Sequence, residues 1–584
     1  MKLLSAYRPW FCPLAFLLSI HSCAQPLAAP PHCWVVTETR HVLRSESPGE
    51  WREARLSIAR NEWGSFQVLV RADAPISGLR LEAGDLKGSD NHPAEAIRLV
   101  LYRQHQLFLD TGTHRNADFK PDGYPDPLIP FDHPVAGERL RDSRLKAIPF
   151  ELPARETHGF WVDVFASTNA ATGDYRGTCQ LMAEQDQVGE IPVHLTIWDF
   201  ALPSAPALET EFGSPAGRLK AYYRERAKAG REAEPTDWAA VETECAQVLS
   251  DHRLNAVPPG EMISPVAQSD GSFRIPPQHV AALRRFIERY HVNAVQIPHP
   301  SRVVKDPEAE RDRLRAWLAA FDLAARELNR AHLVLYTYLR DEPNTLDDYR
   351  YVQTWGRAIR EAESVVKVLV VEQTWTAPGQ GGADSAWGDL YGAVDIWCPL
   401  FSLHEQESAA RRQALGETIW TYTALCQGKP TPWWHIDYPL LHYRVPTWIA
   451  WRYRMRGLLY WGGLSYWGPV DDPWLQAPYY TGNDAPQQGR KGVVFYGEGS
   501  LVYPGGPVGC EGVVPTIRLK ALRDAIEDYD YLALLEREGR TAEADAIVAP
   551  LAGSFFAWDK NPAAYEEARS ALARLIVAGR ARDL

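Results

Sequence analysis

The 584-residue sequence predicts a multidomain α and β protein: a β-sandwich over 33–202, a (β/α)8 TIM barrel over 207–485, and strands and helices over 486–584 packed on the barrel. Three observations carry this expectation. Short alternating or apolar runs without helical periodicity fill the first third, as stacked antiparallel sheets require. After the linker ALPSAPALE (201–209) the rhythm turns to strand, helix, strand, helix, the mark of a parallel sheet with crossover helices. A chain of this length also exceeds what one hydrophobic core organises.

Taken in order, MKLLSAYRPWFCPLAFLLSIHSCAQ comes first. Lys2 and Arg8 are positive, Phe11 to Ile20 form an apolar stretch too short to span a bilayer stably, and Ser22 and Ala24 are small. Residues 1–24 therefore read as an export signal peptide. An alternative takes Ile20-His21-Ser22-Cys23 as a lipoprotein box with lipid on Cys23. Either reading sends the mature protein to the periplasm or the exterior, and no later run is apolar for long enough to give a transmembrane helix. Cys33, Cys179, Cys245, Cys398, Cys426 and Cys510 are scattered without ligand spacing, so no metal site and no disulfide-dense scaffold is expected. Cys33 and Cys179 share the first domain and could pair in an oxidising compartment.

The sandwich strands read as CWVVTET, EARLSIA, SFQVLVRA, LRLEA, IRLVLYR, FWVDVFAS, TCQLMAE and IPVHLTIWDF. Between them DTGTHRNADFKPDGYPDPLIPFDHP reads as a long loop that reaches over a neighbouring domain's site. The barrel strands read as ETEFGSP, NAVPP, AVQIPHP, LVLYTYLRD, KVLVVEQTW, VDIWCPLF, ETIWTYTAL and GLLYWGGLSYW, with helical segments such as PQHVAALRRFIERY between them. No GxGxxG or GxxxxGK[ST] opens a helix, so nothing cradles a nucleotide phosphate and no cofactor is expected. VVFYG and LVYPG precede the helices of the tail.

A net charge of −12 with interspersed Lys and Arg argues against nucleic acid and anionic membranes as partners. Aromatic content is the unusual term: 21 Trp and 25 Tyr against 4 Met. Indole faces suit stacking on the C–H faces of sugar rings as well as filling a core. In a barrel the active site lies at the C-terminal strand ends, and roughly half of the 21 tryptophans fall between Trp375 and Trp474, over the later strands.

One strand end differs from the rest. HLVLYTYLRDEPN runs Leu333 to Leu339 apolar and aromatic into Arg340, Asp341, Glu342 and Pro343. As a plain turn the acids would cap the next helix, but Thr345 with Asp348 already makes a capping box. Pro343 biases Glu342 to extended backbone. Two carboxylates after a buried strand are costly unless they are paired or face a cleft. Neighbours on one strand start with opposed side chains and do not straddle a glycosidic bond at about 5–10 Å as paired glycosidase carboxyls do. A substrate that brings its own nucleophile, a 2-acetamido carbonyl, fits adjacent acids better: one orients the amide, the other protonates the leaving oxygen.

YLRDEP, with YPGGPVGCEGVVPTIRLKALRDAIEDYDYL downstream, resembles the glycoside hydrolase family 123 catalytic domain, and IARNEWGSFQVLV and GFWVDVFASTNAATGDYRGT resemble that family's β-sandwich. The resemblance implies a retaining β-N-acetylhexosaminidase, β-N-acetylgalactosamine favoured, with Asp341 orienting the acetamide and Glu342 as general acid/base. The sugar-binding expectations are physical: Trp375, Trp397, Trp420, Trp434 and Trp461 as walls, Tyr422 donating to the acetamide oxygen, and His435 or Asp437 on ring hydroxyls. The partner is a glycan or glycoconjugate, and the oligomeric state is not specified. The competing readings are a glycosidase of related fold for another sugar, and a carbohydrate-binding protein without turnover.

Overall fold

The computed structural model describes residues 30–88, 94–140, 143–375, 389–427, 430–481 and 493–580. The signal segment 1–24, with Cys23, lies outside the described residues. The amino-terminal part holds two sheets. One has five strands in the order His32–Thr37, Glu62–Arg71, Thr157–Ala166, Ile97–Leu109 and Asp122–Pro130, all antiparallel. The other runs Ala54–Arg60, Asp186–Ala201, Gly173–Ala183, Ile76–Ala83 and Phe150–Leu152, with Lys87–Gly88 also on Gly173–Ala183. Alternate residues of both enter one apolar cluster: Phe66, Val68, Val162 and Val164 from the first, Leu79, Leu81, Val193 and Leu195 from the second. That period of two is the pleat burying one face of each strand. Cys33 and Cys179 lie on different sheets and remain separate thiols.

The segment expected as a long loop instead contributes the strand Asp122–Pro130, with Pro125, Pro127 and Pro130 in it. An edge position tolerates residues that lack an N–H donor. Its outer side is covered: Pro127 bridges to Thr516, where the helix Ile517–Arg537 begins. Thr113 and Asn116, just before the strand, bond Asp437 of the barrel region, so the remaining loop does cross to its neighbour.

Seven parallel strands form the second body: β1 (Glu209–Glu211), β2 (Ala294–Gln296), β3 (Val334–Asp341), β4 (Lys367–Val371), β5 (Ile396–Trp397), β6 (Thr418–Thr423) and β7 (Gly457–Tyr460). Their order is β1-β7-β6-β5-β4-β3-β2, a nearly closed parallel barrel. The expected second of eight strands, NAVPP at 255–259, is not a strand. Pro258 and Pro259 have no N–H for a ladder. Asn255 spans the opening with its side chain, donating to the Thr210 carbonyl at 2.9 Å and to Asn293 Oδ1 at 2.8 Å while accepting from the Asn293 N–H at 2.9 Å. Among the described residues no helix is long and apolar enough to cross a membrane.

The helix Ile517–Arg537 is buried along almost its whole length despite its charges. Most of these charges meet an opposite one in another part of the chain. Arg518 grips Asp126 through two bonds of 2.6 and 3.0 Å. Lys520 and Arg523 converge on Asp163 at 2.7 and 3.2 Å; burial alone would raise that carboxyl, yet the two cations hold it well below the usual range. Asp528 holds Arg444 through bonds of 2.6 and 3.0 Å. The sequence block containing this helix is thus an ionic spine joining the sheets to the barrel. Buried pairs of this kind are costly to break because the surviving charge stays desolvated. Asp126→Ala is expected to lose about 3–5 kcal/mol, seen as a lower Tm in thermal denaturation. The double change Asp126→Leu with Arg518→Met is expected to lose less.

Candidate active site

The barrel interior is filled with side chains in layers, as such barrels require. Tyr336, Leu369, Ile396, Cys398, Trp420, Tyr422 and Leu459 form an apolar cluster distinct from the outer helix-facing core. Tyr336 and Trp420 make the lower layer, their rings 5.2 Å apart at 70°. Two residues further along each strand, Tyr338 and Tyr422 stand nearer the mouth. Both lower rings end on acids of β1: Trp420 Nε1 donates to Glu209 at 3.0 Å, and the Tyr336 hydroxyl donates to Glu211. Burial pushes the Glu209 carboxyl up to about 7 and raises that of Glu211.

Asp341 ends β3 and Glu342 follows it, both exposed at the C-terminal mouth. Strict alternation would turn Tyr338 and Asp341 to opposite faces. The register between β3 and β4 slips by one residue between Tyr338 and Arg340, and a bulge of this kind re-aims the side chains beyond it. Tyr338 consequently donates its hydroxyl to Asp341 Oδ1 at 2.9 Å.

Glu342 departs from expectation. Its backbone is not extended but left-handed, with φ of +39°. Pro343 excludes the right-handed helical region as expected, but the chain takes the rarer alternative, at a cost of about 1–3 kcal/mol. The turn is braced by Asn344 Nδ2 on the Glu342 carbonyl at 2.6 Å. Glu342 then reaches the hydroxyl of Tyr422 on β6, three strands away in the sheet. Bulge and left-handed residue together give adjacent acids two different tyrosine partners at one mouth. Arg340 turns aside to Asp348. Thr345 caps the next helix by accepting from the Asp348 N–H at 3.1 Å, while the Asp348 carboxylate bonds the Thr345 hydroxyl rather than its N–H, so the expected capping box is half made.

The other expected residues scatter. Tyr422 is at the mouth, and its hydroxyl meets Glu342. Trp420 lies inside the barrel but is fully buried, so it is floor rather than open wall. Trp397 points outward into the helix-facing core, its indole on Glu417 at 2.7 Å, because its neighbours Ile396 and Cys398 take the inward positions of β5. Trp434 is also outer core, stacked on Tyr443 at 5.4 Å and bonded to the His442 carbonyl. His435 is fully enclosed 3.5 Å from Glu498, and burial lowers its pKa well below the usual imidazole range. Asp437 spends Oδ2 on Thr113 and Asn116 of the crossing loop. Trp375 is buried with its indole on the Leu403 carbonyl at 3.3 Å. Trp461, after β7, remains half-exposed and clusters with Tyr466 and Tyr480 at 5.5 and 5.8 Å. Beneath it the indole donates to Glu498, whose carboxyl burial pushes up to about 7.

Sequence reasoning missed Tyr338, Glu209 and Glu211. The signal was available: YTY in LVLYTYLRD and ETE at 209–211 put matching residues two apart, hence on one strand face. No described group of His, Cys, Asp and Glu is arranged to hold a metal.

An acid pair at the C-terminal mouth of a parallel barrel, each acid bonded to a tyrosine, is equipment for acid–base chemistry. Residues 306–535, which include both acids and most of the buried spine, match the family model described as glycoside hydrolase 123, catalytic domain. Among solved structures, a family 123 glycoside hydrolase from Clostridium perfringens is 13% identical, with TM-score 0.60 over 94% of this chain and 97% of that one; this is a likeness of fold. A family 39 glycoside hydrolase from Bacteroides cellulosilyticus WH2 is 8% identical, with TM-score 0.31 over 83% of this chain and 82% of that one. No curated protein matches the chain.

Proposed function

We propose that the protein releases terminal β-linked N-acetylhexosamine, N-acetylgalactosamine favoured, by a retaining mechanism in which the substrate's acetamide is the nucleophile. The observation that carries this reading is the pair of consecutive acids, Asp341 and Glu342, on one strand end. The acetamide oxygen attacks the anomeric carbon as the bond to the leaving oxygen breaks, forming an oxazolinium ring. Asp341 accepts the amide N–H and offsets its growing positive charge. Glu342 gives its proton to the leaving oxygen, then takes one from the water that opens the ring with net retention. Tyr422, bonded to Glu342 in the free protein, is our donor to the acetamide oxygen. Trp461 with Tyr466 and Tyr480 is our choice of wall, since these rings keep accessible surface. Preference for N-acetylgalactosamine is what the resemblance to family 123 implies; the Clostridium relative is described as acting on glycolipid glycans.

We further read residues 1–24 as removed on export, or Cys23 as lipidated, and the two amino-terminal sheets as a β-sandwich at 33–202 beside a catalytic barrel at 207–485 and a tail at 486–584. Mass spectrometry of the exported chain's amino terminus checks the first point.

The test of activity is chromophore release from aryl β-glycosides of N-acetylgalactosamine, N-acetylglucosamine, galactose and glucose. Cleavage of the N-acetyl sugars alone is expected; cleavage of plain galactoside or glucoside would mean an enzyme nucleophile and remove the role given to Asp341. Tyr338→Phe is expected to lower kcat/KM for the preferred N-acetyl glycoside roughly 10- to 100-fold, the worth of about 1.5–3 kcal/mol for a hydrogen bond to a charged group. Its melting temperature should stay near that of the parent.

A further inference from the structure

A cavity of about 870 Å³ opens where the edge strands His32–Thr37 and Ala54–Arg60 of the two amino-terminal sheets face the last helix, Pro562–Arg580. No residue between 199 and 523 lines it, so it is separate from the barrel mouth. Its size falls in the range of about 300–1,000 Å³ usual for small-molecule sites. We propose that it is a second binding site, for a neutral oligosaccharide, in which Trp51 stacks on a sugar ring and Glu38 and Glu566 bond its hydroxyls.

Three features support this. Trp51 lines the cavity and is 63% exposed, so its indole face is available to a ligand. Trp198 lines it as well, half-buried. Below them Glu38 and Glu566 share one buried guanidinium, that of Arg444, although Asp528 already holds Arg444 by two bonds. Asp528 is itself shared with Arg569 at 2.9 Å, so the two glutamates complete a network around two buried guanidiniums. That network holds both glutamates, which line the cavity, on a rigid support. Burial, and then the Glu566 charge, raise the Glu38 carboxyl well above its usual range. Arginines and acids are nearly balanced around the lining, which favours a neutral ligand over an ion. The choice of saccharide rests on the proposed action on glycans; the site itself does not.

The experiment is calorimetric titration of the full chain carrying Glu342→Gln with a neutral tetrasaccharide ending in β-linked N-acetylgalactosamine. Two sites are expected. Adding Trp51→Ala, or Ser57→Trp at the exposed cavity lining, is expected to weaken one of them about tenfold or more. In the parent chain either change should leave kcat/KM for aryl glycosides within about twofold, since the chromogenic substrate is too short to need the cavity. A single site lost with Trp51→Ala, with no aryl glycoside cleaved, would support the cavity and sink the catalytic reading. Binding that neither variant alters, or no binding at all beside normal aryl-glycoside cleavage, would overturn the cavity proposal and leave the catalytic one standing.

Discussion

Glu342→Gln is expected to lower kcat/KM by about 10²–10⁴ toward glycosides with poor leaving groups, the range for losing a general acid. The loss should shrink as the leaving group improves, because a nitrophenolate departs without a proton while a sugar alkoxide does not. Plotting log kcat/KM against leaving-group pKa for a series of aryl N-acetylgalactosaminides checks this: the variant's line should be steeper than the parent's. Parallel lines would assign the proton to another group. The amide replacement still fits the left-handed turn at Glu342, so a fall in Tm would not be the explanation.

Asp341→Asn is expected to reduce turnover by about 10²–10³ whatever the leaving group, as for removal of a preorganised electrostatic partner. The acetamide must be held and its positive charge offset before either kind of leaving group departs. An asparagine keeps the shape and can still accept from Tyr338, but it carries no charge. Activity equal to the parent on good and poor leaving groups alike would eliminate substrate assistance through this residue. The two variants together separate the roles: one is sensitive to the leaving group, the other is not.

Much of this was legible in the sequence because it depends on local pattern. The alternation of apolar residues wrote out the amino-terminal strands, the βα rhythm wrote out the barrel, and an acid pair behind an apolar strand marked the mouth. The failures have two causes, side-chain direction and the backbone N–H groups that proline lacks. At β5 three consecutive residues, Ile396, Trp397 and Cys398, are all compatible with an inward position, and only the packed barrel puts Trp397 outside. NAVPP has strand-like composition at its start, but two prolines deny it a ladder, and Asn255 takes over the closure by side chain. DGYPDPLIP looks like a loop for the same reason, yet an edge covered by the helix Ile517–Arg537 needs few of the N–H groups that proline lacks.

By itself the sequence determined the order of the architectures, the strand that bears the acids, and the cap that frees those acids from serving the next helix. These follow from short-range periodicity and stereochemistry, which any few residues carry with them. Tertiary structure decided where the acids point and what they touch. The bulge after Tyr338 is a matter of pairing with β4, and the partner Tyr422 lies 80 positions beyond Glu342. The left-handed turn at Glu342 persists because surrounding contacts outweigh its strain, a balance among residues far apart in the chain. The buried helix makes the same point on a larger scale: read alone, its Arg, Lys, Asp and Glu suggest a solvated face, and only their distant partners, Asp126, Asp163 and Arg444, make burial affordable.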